Sequence, residues 1–162
     1  MRIFMNVRRA VGRFATCERG TQLVELSIVI PVLLLLLATT AEFGRFFQTY
    51  TTLAKATRSA SRFLMTAPAN GADDAQAKNL AVYGNTEGEG DPVAYGLTTD
   101  QVTITREGPN LALPERVTVQ IEGYTYQPIF DPGAFIGDSS ASLNIDVSPK
   151  STMRFFSSLP SS

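Results

Sequence analysis

One carboxylate, Glu25, stands alone in the otherwise uncharged stretch from Thr21 to Ala41, five positions after Gly20. A charge held among apolar residues in lipid needs a partner, because little water is there to solvate it. Arg19-Gly20 closes a basic segment just before this stretch. Cleavage after Gly20 would create a new amine on Thr21, within a turn and a half of helix from Glu25. In a stack of staggered identical helices, that amine could neutralise Glu25 of the neighbouring chain. Such a pair sets axial register in an assembly and does no catalysis. The plainer reading of Glu25 is an interfacial charge at the end of a membrane helix.

Other groupings that could do chemistry lack an essential member. Gly137-Asp138-Ser139-Ser140 is similar to the Gly-Asp-Ser blocks of some esterases, but a nucleophilic serine needs a base. The chain has no histidine, so the string reads as a turn. The same lack removes the commonest zinc ligand. Cys17 is the sole cysteine and lies in the basic N-terminal segment, which excludes both an intramolecular disulfide and a cysteine nucleophile in the later domain. Asn85, Glu87, Glu89 and Asp91 alternate with small residues as calcium loops do, yet the spacing that ends in a bidentate glutamate is absent. A solvated acidic loop is the expectation, with Asp73-Asp74 before it as a helix cap. No catalytic, cofactor or metal residues are assigned, and the chain reads as neither an enzyme nor a small-molecule binder.

The elements that position Glu25 follow from charge and hydropathy. Residues 1–62 carry nine Lys/Arg against three Asp/Glu, a net +6, and residues 63–162 carry five against twelve, a net −7. Residues 1–20, with five arginines, read as a basic leader on the cytoplasmic side. Residues 21–41 read as a transmembrane helix. Its ten Leu, Ile and Val residues from Leu26 to Leu37 favour insertion by roughly 3–6 kcal/mol, more than a carboxylate near one end costs. Pro31 cannot donate to the Ser27 carbonyl, so a helix break or loosened turn is expected there.

Residues 42–66 continue the helix in amphipathic form. Phe43, Phe46, Phe47, Tyr50, Leu53, Thr57, Ala60 and Leu64 recur at helical spacing, with Arg45, Lys55, Arg58 and Arg62 mainly opposite. Those aromatics are expected in core packing or as an anchor at the membrane interface. The whole helix would span about 46 residues, or roughly 70 Å, with Ala67-Pro68 as its stop. Residues 67–162 read as a small β-rich extracytoplasmic domain. A short helix is expected near Asp73 to Ala81, and alternating strands at 101–105, 116–122 and 140–147. An aromatic, proline-rich crossing through Pro132 and Phe135 lies between the last two. The fold class is therefore α+β: a long N-terminal helix followed by a small antiparallel domain. An acidic domain offers nothing to nucleic acid.

The run from Gly20 to Leu64 resembles the N-terminus of TadE-like and TadG-like proteins, the pseudopilins of tight-adherence (Flp-type) pilus systems. The matching residues are Gly20, Val24-Glu25, Pro31 before the leucine run, Glu42-Phe43-Gly44-Arg45 and the basic amphipathic tail to Arg62. Further matches are Val82-Tyr83-Gly84-Asn85 and the late Met153-Arg154. The resemblance implies a pseudopilin or minor pilin, cut by a prepilin peptidase between Gly20 and Thr21, with Glu25 at the fifth mature position acting in assembly. It also implies the bacterial inner membrane as location, and other pilins and the pilus assembly platform as partners. Two rival readings remain open. One is a secreted domain cut after Thr39-Thr40-Ala41; the other is an uncleaved signal-anchored binding domain unrelated to pili.

Overall fold

A computed structural model describes residues 18–108, 114–131, 133–134 and 137–155. The first seventeen residues of the expected leader, and Pro132 and Phe135 of the aromatic crossing, lie outside them. The chain divides into two compact units, Met1–Glu42 and Phe43–Ser162. Helix α1 (Glu18–Leu64) contributes to both. It ends where the backbone tightens: Met65 N–H still reaches the Ser61 carbonyl at 3.0 Å, after which Thr66 and Ala67 bond only three residues back, to Phe63 and Leu64. Arg62 in the last turn complements the negative end of the helix dipole.

The second unit is built on one three-stranded antiparallel sheet. Strands β1 (Val102–Glu107) and β2 (Arg116–Ile121) pair antiparallel, and β2 pairs antiparallel with β5 (Lys150–Arg154), giving the order β1-β2-β5. The register puts Val102 opposite Ile121 and Ile104 opposite Val119. It also puts Val117 opposite Met153 and Val119 opposite Ser151. Because strand side chains alternate, these residues share one face. Val117, Val119 and Ile121 are fully buried there. The other face carries Thr103, Thr118, Gln120 and Thr152, with Thr118 and Thr152 hydroxyls 2.9 Å apart. A second sheet is a short antiparallel pair, β3 (Tyr124–Thr125) with β4 (Asp146–Val147).

Two helical layers complete the core. The part of α1 in this unit buries Leu53, Thr57, Ala60, Ser61 and Leu64, and Ser61 donates to the Ser151 hydroxyl of β5 at 2.8 Å. Helix α2 (Asp74–Tyr83) buries Ala77, Ala81 and Val82. Gly84 closes α2 in the left-handed region (φ 76°), its N–H reaching the Leu80 carbonyl, a conformation other residues adopt only at a cost. Full burial of a side chain such as Leu53 stabilises by about 1.5–3 kcal/mol.

One expectation is corrected, the strand at 140–147. The stretch 140–147 alternates but pairs only at Asp146–Val147. Upstream, the Ser140 N–H goes to the Asp138 carboxylate and the Leu143 N–H to the Asp131 carboxylate, so local side chains take donors that a ladder would need. The third strand of the main sheet is instead Lys150–Arg154, an edge strand whose charged ends carry little hydrophobic signal. The aromatic stripe on α1 also divides. Phe46 packs against the core, while Phe43, Phe47 and Tyr50 are 45–62% exposed. Leu53 and Ala60 follow the partly buried Phe46 at seven-residue steps and are fully buried.

Candidate functional site

The first unit holds the residues singled out for processing and assembly. Gly20, Thr21, Glu25 and Pro31 all lie on α1, whose helical span runs without interruption through Pro31. Thr21 and Glu25 are four residues apart and so neighbours on one helix face. Gly20 is half-buried, and every residue from Thr21 to Leu37 is exposed. Among them are twelve large apolar side chains, Leu23 to Leu37, each between 42% and 67% exposed. Soluble monomers rarely leave so large a continuous apolar surface in water.

Three hydroxyls of this helix are satisfied locally. Ser27 Oγ donates to the Val24 carbonyl at 2.7 Å, and Thr39 and Thr40 donate to the carbonyls of Leu35 and Leu36, each at 2.8 Å. Hydroxyls that bond back into their own helix can enter lipid without leaving a donor unpaired. Glu25 carries a charge and makes no such bond. It is exposed, and among the described residues it has no hydrogen-bond or ion-pair partner.

The other sequence candidates are structural. Asn85 organises the acidic loop: its side-chain oxygen accepts from the Gly88 and Glu89 N–H groups at 2.8 and 3.1 Å, and its amide donates to the Glu89 carbonyl at 2.7 Å. Among the described residues, no three His, Cys, Asp or Glu side chains converge as a metal would require. Asp138 caps a single 3₁₀ turn, Ser139–Ala141, by accepting from the Ser140 N–H and hydroxyl. Those two bonds hold its carboxyl below the ordinary carboxylate range. Asp73 occupies the N-cap position of α2, but its side chain makes no capping bond.

Two pairings had no signal in the sequence because their partners are distant along the chain. Arg106 of β1 forms a two-pronged ion pair with Asp74 at the start of α2; its Nη1 lies 3.0 Å from Oδ2, and its Nη2 meets Oδ1. The bond from Asp74 raises the Arg106 guanidinium further above its usual range. Asp131 gathers the loop before β4. Partial burial pushes its carboxyl up, but donors from Ser142 Oγ and from the Leu143 and Gly133 backbones outweigh this and hold it low.

Among the described residues one helix is long and apolar enough to cross a membrane, with a mean hydropathy of 2.4 over 18 residues and none of that window buried. With a lone carboxylate near one end and an α+β unit beyond, this is the build of a single-pass membrane-anchored protein. Residues 20–62 match the family model of TadE-like proteins, and the segment is consistent with a TadE-like protein of tight-adherence pilus systems. The match begins at Gly20 and lies wholly within α1. No curated protein and no solved structure matches the chain.

Proposed function

We propose that the chain is a pseudopilin or minor pilin that acts in assembly of a tight-adherence (Flp-type) pilus or a related secretion machine. In this reading a prepilin peptidase cuts between Gly20 and Thr21, and the mature protein is retained in the inner membrane with its second unit outside the cytoplasm. Its partners are other pilins and the assembly platform, and it performs no catalysis.

The observation that carries the reading is Glu25: exposed and without a partner among the described residues, on an apolar helix that matches the TadE-like model from Gly20 onward. An unpaired carboxylate in lipid is costly, and a positive group from a neighbouring subunit would remove that cost. The freed Thr21 amine is such a group, so processing and assembly become one electrostatic event.

The test is the mature N-terminus, read by intact mass in cells with and without the peptidase. Thr21 as first residue, dependent on the peptidase, is the expected result. Glu42 as first residue points to secretion after Ala41 and sinks the pilin reading, and Met1 in both strains supports an uncleaved signal anchor. Glu25→Ala is expected to insert normally yet lose co-purification with partner pilins; unchanged co-purification refutes the register role.

A further inference from the structure

Tyr95 and Ile129 are the most exposed large hydrophobic residues of the second unit among the described residues, at 85% and 80%. They come from separate loops, one after α2 and one after β3, yet they line the same open cleft of about 270 Å³. Arg45 and Thr49 of α1 form its helical wall, with the buried rings of Tyr124 and Tyr126 beneath. Both loops are held there. The Tyr124 hydroxyl donates to the Tyr95 carbonyl at 3.1 Å. The Tyr126 ring meets Phe46 edge-on, with centroids 5.4 Å apart.

The chain itself ties this cleft to a surface. Arg45 follows Ala41, the last residue of the uncharged stretch, by four positions. Residues 41–45 are helical, and a helix covers about 6 Å in four residues. The headgroup layer on each side of a bilayer is of similar depth, since the whole bilayer is about 40–45 Å thick around a core of about 30 Å. The cleft's helical wall therefore starts within the headgroup zone of whatever membrane takes the apolar stretch. A tyrosine with a polar tip and an apolar body, an arginine and an exposed isoleucine are the side chains that this zone accommodates.

We propose that the loops bearing Tyr95 and Ile129 form a second, non-spanning membrane contact. Their side chains rest in the boundary between headgroups and acyl chains of the same bilayer that takes residues 21–41, and hold the domain to its surface. The unit carries an excess of acidic residues, so the contact is apolar, needs no anionic lipid and is insensitive to salt. The inference rests on the anchor reading of α1, which the experiment checks separately.

The chain has no tryptophan, so one introduced tryptophan reports alone. Full-length Tyr95→Trp, reconstituted in phosphatidylcholine vesicles, is expected to show blue-shifted emission, strong quenching by lipids brominated near the headgroup and weaker quenching by lipids brominated deep in the chain. Ile129→Trp is expected to behave alike, and serves if the first variant misfolds. Leu34→Trp, inside the span, should be quenched most by the deep bromines. Water-like emission at both loop positions, with Leu34→Trp quenched, overturns the contact and leaves the anchor standing. A blue shift that ignores bromolipid and changes with protein-to-lipid ratio also overturns it, because a second copy then covers the loops. An unquenched Leu34→Trp overturns the anchor, and the contact with it.

Discussion

Leu34→Asp places a charge in the middle of the apolar stretch, where the wild-type side chain is 59% exposed. Leucine there favours insertion by about 0.3–0.6 kcal/mol, and aspartate opposes it by about 2.5–3.5 kcal/mol. The change is about 3–4 kcal/mol, set against a total drive of roughly 3–6 kcal/mol from the ten aliphatic residues. Membrane partitioning should thus fall by roughly a hundred- to a thousand-fold, near break-even. The assay is the fraction retained in membranes after alkaline extraction. Ser59→Asp, on the exposed part of α1 in the second unit, is the matched control and should not change it. Because Leu34 belongs to the first unit, the thermal unfolding of the second should be unaltered. Full membrane retention of Leu34→Asp would refute the reasoning, since the segment could not then be lying in hydrocarbon.

Leu53→Ala should destabilise the second unit by about 2–5 kcal/mol, because Leu53 is fully buried and its neighbours can only partly collapse into the gap; denaturant unfolding in detergent measures this. Asp131 and Asp138 have folded-state pKa values below the ordinary one, so their stabilisation is present above the unfolded value of about 3.9 and lost as pH falls through the folded values. Asp131→Asn should therefore lower the melting temperature near neutral pH and flatten its decline in acid, and an unchanged acid limb would show that Asp131 does not contribute.

The membrane segment was legible because lipid asks a simple question of a sequence, namely enough consecutive apolar residues with their hydroxyls bonded back into the helix. Gly20, Glu25 and Pro31 could be picked out for the same reason, as exceptions to a uniform pattern. The long helix, α2 and the two alternating strands β1 and β2 came from periodicity, which is a local property. What alternation could not foresee at 140–147 was competition, since Asp131 and Asp138 take the Leu143 and Ser140 N–H groups before a ladder can. The Arg106–Asp74 pair joins residues 32 apart in sequence, and only the folded chain brings them together.

The clearest division falls on α1 itself. Composition alone marked residues 21–41 as apolar enough to cross a membrane and showed that a helix continues past them. Which aromatics of that continuation face the core was decided by tertiary packing: Leu53 and Ala60 join the cluster that holds Val117, Val119 and Ile121, Phe46 meets Tyr126 edge-on, and Phe43, Phe47 and Tyr50 are left outside. A hydrophobic pattern says that a side chain avoids water; only packing in three dimensions says against what.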